Sequence, residues 1–194
     1  GTIYGTVQVA SGSQFNYSHE VQSTGVDGEL LFGYNTPIVD LAQSFAASET
    51  SPITMVALKL KKKCLDDKEN KCPSNLTLRI LADSSGSPDN NNVIATGTLN
   101  QTLVSMNQFG WINIPIDSPA ELTAGETYWI TLSPSDNYPG GNTERYWWWA
   151  KDKNQGYGNG LAKSSPDWNS VTPSLNEFIG KLNFRVYTAD NTNY

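Results

Sequence analysis

The sequence predicts an all-β protein built as a two-sheet antiparallel sandwich, and three observations carry that prediction. Segments in which apolar and polar residues alternate recur along the chain, the period-2 signature of half-buried strands. Clusters of Gly, Pro, Asn, Asp and Ser separate these segments, as turns require. No stretch of even ten residues carries the 3.6-residue period of an amphipathic helix. With 194 residues, 38% of them hydrophobic and 11% aromatic, the chain can fill one core, and a sandwich of this length needs no second domain.

Taken in order, Ile3, Gly5, Val7 and Val9 alternate with polar partners like an edge strand, while residues 11–37 mix strand and turn signals. Residues 1–40 are therefore read as an N-terminal strand or extension packed on the sandwich, residues 41–188 as the sandwich and residues 189–194 as a tail. In residues 54–60, Val56, Leu58 and Leu60 share one face and Met55, Ala57 and Lys59 the other. Leu76, Leu78 and Ile80 alternate with Thr77, Arg79 and Leu81 in the return segment. The intervening residues thus read as the tip of a hairpin, with Lys61, Lys62, Lys63, Asp66, Asp67, Lys68 and Glu69 at an exposed end.

Residues 84–92 contain Gly86, Pro88 and three consecutive asparagines, and read as a loop. A short strand follows at 93–99. Ile112, Ile114 and Ile116 mark another, and Pro115, which has no N–H for a ladder, places that strand at an edge or at a bulge. After a turn at 122–125, residues 127–132 form a strong strand with Tyr128, Ile130 and Leu132 on one face. Residues 146–150 are a further strand, Gly156, Gly158 and Gly160 mark a loop, and Leu182, Phe184 and Val186 face inward in the closing strand at 181–187.

Cys64 and Cys72, the only two cysteines, lie in the clasped loop with seven residues between them. They are placed for a disulfide that stabilises the fold by about 2.5 kcal/mol in the chain-entropy treatment, if the chain matures in an oxidising compartment. Two reduced thiols are the alternative. Zinc fits poorly, because His19 is the only histidine and lies far from both cysteines in sequence.

Several ordered segments together carry a resemblance. They are LAQSF at 41–45, LTLRILAD from 76, ATGTL from 95, GWINIPIDSPAELTAGETYWITL at 110–132, YWWWAKD from 146, the lone Trp168 in a turn, and LNFRVY from 182. In this order the chain from about 41 to 187 resembles the jelly-roll domains of many bacterial secreted and cell-surface proteins, including those called choice-of-anchor domains. The resemblance implies a jelly-roll sandwich displayed outside the cell, similar in architecture to many carbohydrate-binding modules. It implies no ligand and transfers no binding residues, because function resides in the site rather than the fold.

Composition excludes several classes of function. A net charge of −6 opposes binding to a phosphate backbone, so nucleic acid is not a partner. No run approaches the roughly 20 apolar residues of a membrane helix, so this segment is not expected to insert in a membrane. With one histidine there is no hydrolytic triad, and there is no Gly-x-Ser-x-Gly elbow, phosphate-cradling loop or metalloprotease helix. Glycosidase chemistry needs only two facing carboxylates, but nothing singles out a pair among 19 acidic residues. No catalytic residue, cofactor or catalytic metal is assigned. Structural calcium has two candidate oxygen sets, Asp66, Asp67 and Glu69 or Asp83, Asp89 and Asn90, and neither matches an EF-hand loop.

The strongest functional signal is the run Tyr146, Trp147, Trp148 and Trp149. Strand alternation points two of these rings one way and two the other, so in a sandwich either Tyr146 with Trp148 or Trp147 with Trp149 is expected at least partly exposed. Flat aromatic faces stack on sugar rings, and neighbouring polar groups hydrogen-bond hydroxyls. Arg145, Asp152, Tyr157, Asn159 and Trp168 lie close enough in the chain to complete such a platform. The competing reading makes the indoles core packing covered by residues 156–168 or 1–40. The expected function is a non-catalytic extracellular binding module with a glycan as partner. Its rival is a structural or adhesive surface subunit that contacts another surface protein.

Overall fold

The computed structural model describes residues 15–20, 28–34, 39–135, 144–152, 160–165, 176–178 and 181–189. The chain runs through β1 (Phe15–Glu20), β2 (Gly28–Phe32), β3 (Asp40–Ala46), β4 (Ser51–Lys63), β5 (Leu76–Asp83), β6 (Pro88–Leu99) and β7 (Gly110–Leu122). It continues through β8 (Thr127–Pro134), β9 (Tyr146–Asp152), β10 (Ala162–Ser165), β11 (Asn176–Phe178), β12 (Lys181–Leu182) and β13 (Phe184–Ala189). Among the described residues these strands form two antiparallel sheets. The first is ordered β1-β13-β4-β9-β12, with β2 beside β9 and β7 beside β4; the second is ordered β11-β10-β3-β8-β5-β6. The chain steps repeatedly between the two sheets, the crossovers that a jelly roll requires.

The expected alternation builds the core. Val56, Leu58 and Leu60 of β4, Phe184 and Val186 of β13 and Ile114 of β7 meet Leu76, Leu78 and Ile80 of β5 and Ile130 and Leu132 of β8 in one buried cluster. A polar bond also ties the sheets together. The buried Gln43 of β3 accepts from the backbone N–H of Leu182 at 2.7 Å through its Oε1 and donates to the Ser44 carbonyl through its Nε2, so neither end of the amide is stranded in the core.

Pro115 sits where its missing N–H is harmless. Strand β7 pairs only with β4 among the described strands, and the ladder jumps from Met55↔Pro115 to Ile53↔Ala120, so β7 is both an edge strand and irregular at that point. On the second sheet β6 is the matching edge, and its ladder to β5 is irregular beyond Ile80↔Ala95. The two edges approach each other at Gly97, where a Cβ would stand 2.7 Å from the Pro115 carbonyl oxygen and 3.2 Å from Ile114 Cγ2. Glycine is required there by the space.

Three expectations change. First, β4 and β5 are not a hairpin: they lie in different sheets, and the segment between them carries the chain across the sandwich through tight turns at Leu65–Asp67 and Glu69–Lys71. Both strands have an apolar face that needs the core, and two facing sheets bury both. Second, Lys62 is 1% exposed rather than part of a solvated tip. It shares the inward parity of Leu58 and Leu60, and its ammonium donates to Glu69 Oε2 at 3.0 Å, the Gln101 carbonyl at 3.0 Å and Gln101 Oε1 at 2.8 Å. Third, residues 84–92 are not all loop. The turn closes between Ser84 and Ser87, with Asp83 Oδ2 accepting from Gly86 N–H, and β6 already starts at Pro88.

The N-terminal part contributes strands to the first sheet. β1 pairs with β13 and β2 pairs with β9, from Gly28↔Lys151 to Phe32↔Trp147. Cys64 and Cys72 are joined by a disulfide, with Cα atoms 4.1 Å apart. Among the described residues no helix is long and apolar enough to cross a membrane.

Candidate functional site

Strand β9 divides its four aromatic rings as alternation demands. Trp147 and Trp149 point into the sandwich and are fully buried, packed against Phe32 with ring centroids 6.3 and 6.5 Å away. The Trp149 indole N–H donates to the Asn183 carbonyl at 2.8 Å. Each such ring removes about 200 Å² from water, enough to make these two indoles major contributors to the core. They belong to that core and present nothing to a ligand.

Tyr146 and Trp148 lie on the outer face of the first sheet and stay half-buried. Trp148 stands between two cross-strand neighbours, Leu31 of β2 and Lys61 of β4. The Lys61 ammonium lies 4.3 Å from the Trp148 ring centroid and 4.8 Å from that of Phe109, where the negative face of each ring attracts a cation. Tyr146 meets Trp148 edge to face, with centroids 4.8 Å apart and planes at 70°, and Tyr34 meets Tyr146 the same way at 5.1 Å and 79°.

Tyr34 reaches this position because β2, which ends at Phe32, is followed by Gly33 with φ +61°, a backbone conformation glycine adopts without strain. A side chain there would also crowd Pro134 Cγ at 3.0 Å and Trp147 Cδ1 at 3.3 Å. The chain thus turns tightly over the buried indole of Trp147 and sets Tyr34 against Tyr146 on the outer face. The result is a stepped row of rings, Tyr34 on Tyr146 and Tyr146 on Trp148, with the Lys61 ammonium held between Trp148 and Phe109. Its edge-to-face contacts make corners between rings rather than one flat table.

The remaining residues expected at the site separate. Arg145 is half-buried immediately before β9, and Asp152 ends the strand opposite Lys181. Tyr157, Asn159 and Trp168 lie outside the described residues, as does the glycine loop apart from the buried Gly160. Alternation along β9 indicated one outward pair but not which; Tyr34, Phe109, Leu31 and Lys61 come from three other segments, and only strand pairing reveals them.

Among the described residues, two further tryptophans are committed elsewhere. Trp129 lies buried on the outer side of the second sheet with Ala42 and Leu81, against Leu161. Its indole N–H donates to Asp83 Oδ1 at 2.7 Å, and Lys163 lies 5.5 Å from its ring centroid. Trp111 is half-buried under the Arg185 guanidinium, 3.9 Å from ring to cation.

The carboxylates of the two candidate calcium sets are engaged within the chain. Asp66 pairs with Lys71 at 3.0 Å, Asp67 with Lys63 at 2.5 Å and Glu69 with Lys62 at 3.0 Å. The hydrogen bond that the Lys63 ammonium donates to Asp67 Oδ1 is the main cause that raises its pKa above the ordinary 10.5. Asp83 holds Trp129 and Gly86, and Asp89 accepts from Asn91 N–H. Glu69 also groups with the two cysteine sulfurs, but these are bonded to each other and offer no thiolate. The sequence matches no protein-family model and no curated protein.

Proposed function

We propose that this chain is a non-catalytic extracellular module that recognises a glycan on the outer face of its first sheet. The observation that carries the reading is the half-exposed cluster of Tyr34, Tyr146 and Trp148 with Lys61 beside it. Aromatic rings in that setting supply apolar surface to the C–H faces of a pyranose, while the ammonium and the tyrosine hydroxyls supply hydrogen bonds to its oxygens. The disulfide supports an oxidising location, and the resemblance to secreted jelly-roll domains points the same way.

The test is tryptophan fluorescence during titration with a broad panel of soluble oligosaccharides, on the parent chain and on Trp148→Ala. A saturable change that Trp148→Ala abolishes is expected. Absence of any saturable response across the panel, or an unchanged affinity in Trp148→Ala, refutes the site.

A second reading, an adhesive or structural subunit that contacts other protein chains, rests on a different surface, between the edge strands β6 and β7. Where the irregular parts of β6 and β7 diverge, Val93, Ile94, Ala95, Thr96, Ser118, Pro119 and Ala120 line an open groove of about 260 Å³. Val93 is 45% exposed there. Two edge strands beside an open groove are a surface on which another chain can pair. Concentration-dependent association that Val93→Asp abolishes, with no glycan response, would favour this reading.

A further inference from the structure

We infer that the glycan is acidic, with its charge on uronic-acid carboxylates, and that Lys61 is the residue that selects for it. The inference rests on the glycan reading above and specifies the ligand of that same face.

Strand β4 presents Lys59, Lys61 and Lys63 outward at two-residue spacing, about 6.7 Å apart. Each faces an aromatic ring across the ladder: Lys59 opposite Trp111, Lys61 opposite Trp148 and Lys63 opposite Tyr146. On the same face the Arg185 guanidinium lies over Trp111. A chain with 19 acidic and 13 basic side chains thus concentrates cations among the rings of one sheet face.

The carboxylates are unevenly shared along this row. Lys63 is neutralised by Asp67 and the inward Lys62 by Glu69. Lys59 and Lys61 have no carboxylate partner among the described residues, and Lys61 rests only on the two rings. A cation held over aromatic faces keeps most of its capacity to bind an anion, because the rings accept none of its N–H hydrogens as strongly as a carboxylate does.

A pyranose packed on the exposed part of Trp148 or in the corner made with Tyr146 brings a carboxylate at its rim beside the Lys61 ammonium. Apolar contact and opposite charge then come from neighbouring strands within the width of one sugar. A neutral sugar uses the rings and leaves Lys61 without a counter-charge. The chain's overall negative charge repels a polyanion only weakly at physiological salt, where screening acts over about 8 Å, so the local lysines decide the sign of the interaction.

The experiment uses the full chain and matched ligand pairs: oligogalacturonate, alginate and hyaluronan fragments, each beside its carboxyl-reduced, uncharged counterpart, with polyglutamate as an anion lacking sugar rings. Affinities are read by fluorescence and calorimetry at low and high salt, for the parent chain, Lys61→Gln, Lys61→Arg and Trp148→Ala, with thermal unfolding to confirm that each variant is folded. At least one uronate is expected to bind about tenfold more tightly than its reduced form, as a charge-assisted contact warrants. Salt and Lys61→Gln should each erase that preference, Lys61→Arg should retain it, and Trp148→Ala should lose both ligands.

Equal affinity for a uronate and its reduced form overturns the inference and leaves the glycan reading standing. Polyglutamate binding as tightly as the uronates overturns it in favour of a general anion surface. If no saccharide of either charge binds, the glycan reading itself fails and the inference falls with it.

Discussion

Replacing Gly97 by alanine tests how the sandwich closes along its β6–β7 side. The added Cβ would lie 2.7 Å from the Pro115 carbonyl oxygen, a backbone atom that cannot rotate away, and 3.2 Å from Ile114 Cγ2. An ordinary contact there needs roughly 3.4 Å or more, so the two sheet edges must part by several tenths of an ångström, and overpacking of this kind costs about 2–3 kcal/mol. Alanine gains back about 0.5–1 kcal/mol because it loses less backbone freedom on folding than glycine. The net loss is about 1–2.5 kcal/mol, a fall in melting temperature of roughly 2–10 °C for a domain of this size. Gly110 is the internal control: it also lies in a strand without a positive φ, but its nearest neighbour, Ile112 Cδ1, is 4.0 Å away. Gly110→Ala should therefore raise the melting temperature slightly, by roughly 1–4 °C. Calorimetric unfolding of both variants gives the answer, and a Gly97→Ala protein as stable as the parent would refute the close approach of β6 and β7.

Two further perturbations probe the segment that crosses between the sheets. Changing Cys64 and Cys72 together to serine should lower stability by about 2.5 kcal/mol in urea unfolding, and a reducing agent should do the same to the parent; an unchanged midpoint would show that the bridge constrains nothing. Around Lys62, Gln101→Leu should cost about 2 kcal/mol because it takes one hydrogen bond from a buried ammonium, whereas Lys62→Met should stay within about 1 kcal/mol of the parent. A loss above 3 kcal/mol for Lys62→Met would show that the charge itself holds the crossing in place.

Strand pattern makes most of the fold legible in the sequence. The inward faces of β4, β5, β8 and β13 follow from alternation alone, and Pro115 foretold an irregular edge because it lacks an N–H. Alternation was silent on which sheet a strand joins, so β4 and β5 read as a hairpin when each needed the other's face across the core. Charge was misleading at Lys62, which it assigned to solvent although alternation placed that residue with Leu58 and Leu60. The site was half legible. The run in β9 guaranteed an outward pair of rings, but Tyr34 and Phe109 are distant in sequence and Lys61 looked like one of a solvated triplet. Only the pairing of β4 with β7 and β9, and of β9 with β2, brings them to the Tyr146–Trp148 pair.

One edge of β4 is shared in series: Ile53 to Leu58 pair with β13, and Leu60 to Lys63 pair with β9. Where those two partners diverge, β12 bonds to the end of β9 and Asn183 N–H reaches the Ala150 carbonyl, so the last strands fill the fork. β1, in turn, hydrogen-bonds to β13. During synthesis the first sheet therefore stays open until its final segment leaves the ribosome, and β1 waits for a partner more than 160 residues downstream. Ring closure over that distance is entropically slow and raises contact order. Folding of this sheet should be a late, cooperative event, and nascent chains stopped before β12 should remain sensitive to protease long after the central strands of the second sheet have emerged.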